Sequence, residues 1–180
     1  MCGFRLQAED QRADMLKRIA RLRVPIGFVF GAIVLWLAQP TSRSLAAGAG
    51  IALVGELVRI WAAGHLEKGR EVTSSGPYAF TRHPLYLGST IIGLGLAIGA
   101  ASVTVAAIVI LYLALTLTAA IRTEEAHLTE KFGAAYPDYR AGRMSVKRGF
   151  SVERALRNRE YRAAIGVLVV LAVFGLKIRF

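Results

Sequence analysis

The strongest constraint on the fold is an uncharged block of 36 residues, from Tyr86 to Ile121, in a chain of 180. A single helix of that length would measure about 54 Å at ~1.5 Å per residue, whereas the hydrocarbon core of a bilayer is ~30 Å thick. The core of so small a soluble domain could not bury this block together with the chain's other apolar stretches. The block therefore predicts two membrane-spanning helices, with the break at Gly99-Ala100-Ala101-Ser102.

Three further apolar stretches predict additional spans. They cover Val24 to Ala38, Leu45 to Leu66 and Tyr161 to Phe180. Charged residues make up 19% of the chain, below the ~25% typical of soluble proteins. We therefore expect an all-α integral membrane protein with about five transmembrane helices, a tight hairpin between the third and fourth, and cytosolic amphipathic segments. Without internal repeats or a linker, residues 1–180 are expected to form one domain.

The net charge of +11 is explained by membrane orientation. With a cytosolic N-terminus, the inside segments 1–23, 67–85 and 122–162 hold 19 of the 23 Lys and Arg residues. This asymmetry follows the positive-inside rule, so nucleic acid is not an expected partner. The segments 1–23 and 143–162 are expected to lie on the lipid surface. The single cysteine, Cys2, excludes a disulfide framework, and no residue pattern predicts a metal site.

The connection before the third span contains a first polar cluster. Pro84 can begin a helix, which places His83 near its N-cap and Arg82 beside it. Together with the free N–H groups of the helix terminus, these side chains would attract a carboxylate or a phosphate. The alternative is an aromatic and basic belt in which Tyr78, Arg82 and Tyr86 anchor the helix at the membrane surface.

A second polar cluster follows the fourth span. Glu124 and Glu125 lie just after the membrane exit, so they predict either a solvated helix end or a site for a cationic or hydroxylated ligand. Within the second span, Glu56 and Arg59 stand three residues apart. They are expected either to neutralise each other or to face a substrate cavity.

The two polar clusters together resemble the isoprenylcysteine carboxyl methyltransferase family, which is related to the membrane phospholipid methyltransferases. The resemblance covers about residues 66–140. It rests on Gly76-Pro77-Tyr78 and Arg82-His83-Pro84-Leu85-Tyr86-Leu87-Gly88, followed 36 residues later by Glu124-Glu125, Phe132-Gly133, Tyr136 and Tyr139. Residues 141–180 extend beyond this core with a basic segment and the fifth predicted span.

The resemblance implies methyl transfer from S-adenosylmethionine, without a soluble nucleotide-binding domain. The positions carried over as cofactor-binding are Tyr78, Arg82, His83, Pro84, Leu85, Tyr86, Glu124 and Glu125. The implied acceptor is lipid-like or prenylated, and it would be methylated on a carboxylate.

The abundance of arginine favours a carboxylate acceptor, which needs a cationic anchor such as Arg59 or Arg122. Two other readings stay open. One is a phospholipid N-methyltransferase, and the other is a non-catalytic small membrane protein on the same scaffold.

Small residues between Gly88 and Gly99 permit two readings of the third span. They could line a groove for the lipid tail of the acceptor, or they could let helices pack closely. The sequence favours neither reading.

Overall fold

The computed structural model describes residues 27, 29–143 and 146–179, which fall into two compact units that meet between Trp36 and Leu37. Helix α1 covers residues 29–37 and corresponds to the described part of the first predicted span. The predicted surface segment 1–23 lies outside the described residues.

The rest of the described chain is helical, as the sequence predicts, and contains no strand. The helices are α2 (Ser42–Ala63), α3 (Pro84–Gly99), α4 (Val103–Phe132), α5 (Ala135–Arg140), α6 (Val152–Arg157) and α7 (Tyr161–Lys177), with a 3-10 turn at Gly76–Ala79. The 36-residue apolar block is interrupted between Gly99 and Val103, at the residues that the sequence singled out.

Local sequence signals fix where these helices begin and end. Pro84 occupies the first turn of α3, where its missing N–H costs nothing. The Ser102 hydroxyl accepts a hydrogen bond from the Val105 N–H and caps α4. Helix α4 stops at Gly133, whose φ of +51° is readily adopted only by glycine.

Two of the described helices, α2 and α4, are long and apolar enough to cross a membrane. Helices α3 and α7, with 16 and 17 residues, measure about 24 and 26 Å, less than the ~30 Å of a hydrocarbon core. On α4, large apolar side chains such as Ile110, Leu111 and Leu115 remain exposed, as expected of a helix that faces lipid. The five-span topology stays a prediction.

Helices α2 and α3 pack backbone against backbone through small residues. A Cβ added to Gly95 would lie 2.6 Å from the Ala52 nitrogen, and one added to Gly88 would lie 2.7 Å from the Gly55 carbonyl oxygen. Such distances leave no space for a lipid tail along this face of α3. The small residues here serve close helix packing, so the groove reading is wrong for this face.

The basic segment after α5 binds carboxylates of the protein itself, and its contact with the lipid surface stays a prediction. Arg148 forms ion pairs of 2.9 Å with both Glu67 and Glu71, and Arg154 lies 3.5 Å from Glu67. The Arg154 Nε also donates to the Gly64 carbonyl oxygen. Several of the basic charges of segment 143–162 therefore pair with carboxylates of the connection that follows α2.

Candidate active site

The start of α3 meets the polar end of α4 at His83. The His83 Nε2 lies 3.2 Å from the Glu125 carboxylate, and its Nδ1 lies 3.8 Å from the Glu124 carboxylate. Arg82 approaches the same Glu125 oxygen to 3.4 Å. The two polar clusters that the sequence separates by about 40 residues thus form one site, which we call the His83 cluster: Arg82, His83, Glu124 and Glu125.

The four members of the His83 cluster differ in how open they are. The His83 side chain is 13% exposed and Glu125 26%, whereas Glu124 is 43% exposed. Glu125 is engaged by both His83 and Arg82, while the one ion pair of Glu124 with a described residue is the longer contact with His83. Glu124 is therefore the carboxylate that is most available to a ligand.

Aromatic rings surround the His83 cluster. The Tyr86 ring stacks on the His83 ring, with 5.7 Å between centroids and 28° between planes. The Tyr139 hydroxyl donates a 2.6 Å hydrogen bond to the Tyr78 carbonyl oxygen, which joins α5 to the 3-10 turn. Burial and the nearby Glu124 carboxylate raise the pKa of Tyr78, and burial raises that of Tyr139. Both phenols stay neutral at physiological pH.

Tyr136 is the largest fully buried side chain near the site. Burial and the Glu125 carboxylate raise its pKa to about 12. Its hydroxyl nevertheless makes no well-formed hydrogen bond within the described part of the chain. The hydroxyl oxygen is enclosed by the protein beside Glu125, so the phenol supports that carboxylate and does not present its oxygen to a ligand.

The N-terminus of α3 offers less anion-binding capacity than the sequence predicts. Pro84 has no N–H, and the N–H groups of Tyr86 and Leu87 both donate to the His83 carbonyl oxygen. Among the described residues, the Leu85 N–H has no acceptor. One amide of this turn, beside His83, therefore remains for a ligand carboxylate.

One interpretation of the sequence pairs Arg59 with Glu56, but the structure does not show this pair. The Arg59 Nε donates to the Glu160 carboxylate at 2.5 Å, and its Nη1 donates to the Ser89 hydroxyl. The two oxygens of Glu56, which is only 6% exposed, have no hydrogen-bond partner among the described residues. The local pairing is wrong because Glu160, 101 residues away in sequence, approaches Arg59 from another element.

Arg122, the second predicted anchor for an acceptor, is exposed on α4 and makes no ion pair with any described residue. It lies two residues before Glu124. Its guanidinium is accordingly open to an anionic ligand, whereas that of Arg59 is already engaged.

An open cleft borders the site on the side of α5. It has a volume of about 370 Å³ and is lined by Thr129, Tyr136, Pro137, Arg140 and Ala141. Ligand pockets commonly measure ~300–1,000 Å³, so the cleft has the capacity for a small molecule. Tyr136 belongs both to this cleft and to the surroundings of Glu125.

Comparisons with known proteins identify the family of the chain. Residues 29–135 match the family described as phospholipid methyltransferase, which is more than half of the chain. The chain belongs to the phospholipid methyltransferase family. The match includes the 3-10 turn, α3, α4 and all four members of the His83 cluster. Together with the long apolar helices α2 and α4, membership indicates a membrane protein.

Two curated relatives are similar over part of their length. The cobalt-zinc-cadmium resistance protein CzcN of Cupriavidus metallidurans is 32% identical over 125 residues, 64% of this chain and 56% of that protein. The nickel-cobalt-cadmium resistance protein NccN of Alcaligenes xylosoxydans xylosoxydans is 33% identical over 94 residues, 51% of this chain and 42% of that protein. The chain thus spans about half the length of these relatives. No solved structure matches.

The family match refines the resemblance found in the sequence. It supports a membrane methyltransferase, while the isoprenylcysteine carboxyl methyltransferase family in particular stays a prediction. The predicted site list omits three residues that the structure brings to the site or beside it, namely Tyr136, Tyr139 and Glu160. The two tyrosines stand in the motif that carries the resemblance, but no sequence signal points to Glu160.

Proposed function

We propose that this protein transfers a methyl group from S-adenosylmethionine to a lipophilic acceptor in the membrane. The observation that carries the proposal is the His83 cluster, which lies where the apolar part of α4 ends. The chain that forms this cluster belongs to the phospholipid methyltransferase family. A polar site at that boundary serves a reaction between a water-soluble cofactor and an acceptor held in lipid.

The groups around the His83 cluster fit the chemical features of S-adenosylmethionine. The Leu85 N–H and the Arg82 guanidinium suit its carboxylate, and Glu124 suits its ammonium group. The exposed part of the Tyr86 ring can pack against the adenine. When bound, the cofactor supplies a methyl group on a sulfonium, which needs in-line alignment more than a proton transfer. The residues of the chain would therefore act mainly by orientation, which can contribute on the order of 7–11 kcal/mol.

The acceptor group is proposed in two versions. Carboxyl O-methylation of the isoprenylcysteine type follows from the sequence resemblance and needs a cation near the acceptor. Arg122 suits that role better than Arg59, because Arg59 is bound by Glu160. Methylation of a phospholipid amine follows from the name of the matched family and needs a base that takes the proton of the acceptor's ammonium group before the nitrogen attacks the methyl group. The names of the relatives describe metal resistance and specify no acceptor.

For topology we propose five spans, with the N-terminus and the His83 cluster on the cytosolic side. The distribution of Lys and Arg supports this orientation. The helices α3 and α7 are shorter than the hydrocarbon core. They would cross the membrane if their flanking residues complete the span or if the bilayer is locally thinner.

Calorimetry on the detergent-purified protein tests cofactor binding. We expect wild type to bind S-adenosylmethionine, and Glu124→Gln to weaken binding by about tenfold or more, since it removes a charge-assisted contact worth ~1.5–3 kcal/mol. His83→Ala should also weaken binding, because it removes the contacts that hold the two glutamates and the Tyr86 ring in place. Glu130→Gln, at another exposed glutamate of α4, is the matched control and should bind as wild type does. A folded wild-type sample without binding heat would refute the enzyme hypothesis in favour of a non-catalytic membrane protein.

The acceptor can be identified with methyl-labelled cofactor added to membranes that contain the protein. Label released by mild base would indicate carboxyl esters, and base-stable label in lipid amines would indicate N-methylation. We expect Arg122→Gln to reduce ester formation and to leave amine methylation nearly unchanged.

A further inference from the structure

Glu160 connects the C-terminal part of the chain to the candidate site. It is the N-cap residue of α7, it is only 7% exposed, and its carboxylate accepts the hydrogen bond from Arg59 Nε. The segment that contains it lies beyond the part of the chain that matches the family, which ends at residue 135. A buried carboxylate needs a partner, and here the partner is a residue of α2.

Arg59 continues this connection from α2 to the first turns of α3. Its Nη1 donates to the Ser89 hydroxyl and, at 3.4 Å, to the Leu85 carbonyl oxygen. The stem of Arg59 also lies directly on the α3 backbone, because a Cβ added to Gly88 would come within 2.5 Å of the Arg59 Cγ. A shift of the guanidinium would therefore move the turn that follows His83.

Residues 146–160 also form hydrogen bonds and ion pairs with the connection that leads from α2 into the 3-10 turn. The Asn158 Nδ2 donates 2.9 Å hydrogen bonds to the carbonyl oxygens of Ala63 and Leu66. The Val146 N–H donates to the Ser74 hydroxyl at 2.8 Å, two residues before the turn begins. Ion pairs of Arg148 and Arg154 with Glu67 support the same stretch. Residues 146–160 thus contact the connection between α2 and the 3-10 turn directly, and they reach the start of α3 through Arg59.

We propose that residues 146–160 are a positioning element for cofactor binding, and that Glu160 acts through Arg59 to fix the start of α3. The inference rests on the proposed function, because it assigns Glu160 a role in the same site. Neither Glu160 nor Arg59 belongs to the His83 cluster. Their contribution is the placement of the Leu85 N–H and of His83 relative to the glutamates of α4.

The test compares Glu160→Gln with Glu153→Gln, the same substitution at an exposed glutamate of α6 that has no ion pair among the described residues. The protein in detergent is titrated with S-adenosylmethionine, and amide hydrogen exchange is measured over residues 85–89. We expect Glu160→Gln to raise the Kd on the order of 10- to 100-fold, as misplaced contacts do, and to speed exchange in this turn. Glu153→Gln should change neither quantity.

Two further variants separate positioning from general loss of stability. Phe174→Ala removes a fully buried ring near the opposite end of α3 and should lower the thermal midpoint while leaving the Kd near wild type. Arg59→Gln combined with Glu160→Gln should bind about as weakly as either single variant, because residues that act in series are not additive.

The outcomes distinguish this inference from the proposed function. Wild type that fails to bind the cofactor refutes the proposed function. Wild type that binds, with Glu160→Gln matching Glu153→Gln in both Kd and exchange, refutes only the positioning role. The positioning role is also refuted if Phe174→Ala and Glu160→Gln lower the thermal midpoint equally and raise the Kd equally.

Discussion

Replacing Gly95 by alanine should destabilise the protein, although alanine is the better helix former. The added Cβ would stand 2.6 Å from the Ala52 nitrogen and 2.7 Å from the Gly48 carbonyl oxygen. Both are backbone atoms of α2 and neither can rotate away, so α2 and α3 must move apart. Overpacking of this kind costs about 1–3 kcal/mol. For a protein of this size each kcal/mol lowers the melting midpoint by ~2–4 °C, so we expect a fall of about 2–12 °C.

The same substitution at two other glycines supplies the controls. Gly50 lies on α2 with no atom within 4 Å of an added Cβ, so Gly50→Ala should be neutral or should stabilise by ~0.5–1 kcal/mol. At Gly93 the nearest atom is the Leu113 Cδ1 at 2.5 Å, the end of a flexible side chain. Gly93→Ala should therefore cost less than Gly95→Ala, because Leu113 can change its rotamer.

The measurement is thermal unfolding, followed by circular dichroism in one detergent. We expect the melting midpoint to decrease in the order Gly50→Ala, Gly93→Ala, Gly95→Ala. Methyl transfer to long-chain and short-chain acceptors should fall together in Gly95→Ala, because the loss comes from packing. The packing argument would be refuted if Gly95→Ala had the melting midpoint of wild type and methylated the long-chain acceptor slowly but the short-chain acceptor at the normal rate. That result would favour the lipid groove.

Two other predictions concern a contact beside the site and the topology of the chain. Tyr139→Phe removes the 2.6 Å hydrogen bond to the Tyr78 carbonyl oxygen, so stability should fall by about 0.5–1.5 kcal/mol and the Kd for S-adenosylmethionine should rise; an unchanged midpoint together with an unchanged Kd would contradict a role for this contact. A reporter fused after Gly142 should be cytosolic and one fused after Phe180 external, if α7 crosses the membrane. Both reporters on one side would show that α7 does not span.

The sequence by itself determined α3 and α4 and the four residues of the His83 cluster. Pro84, Ser102 and the uncharged block define α3 and α4 through local rules, because caps and apolar runs act within a few residues. The motif around His83 and the pair Glu124-Glu125 likewise named the residues that the structure brings together.

Only the tertiary structure decided which partner each charged or small residue has. Arg59 stands three residues from Glu56, yet its hydrogen bonds go to Glu160 and Ser89, which approach from α7 and α3. The basic segment predicted for the lipid surface binds Glu67 through Arg148. By sequence alone Gly95 could line a groove or pack against a helix, and in the structure it packs against Ala52. Ion pairing and close packing depend on distances of a few ångströms between elements, and spacing along the chain fixes such distances only within one helix.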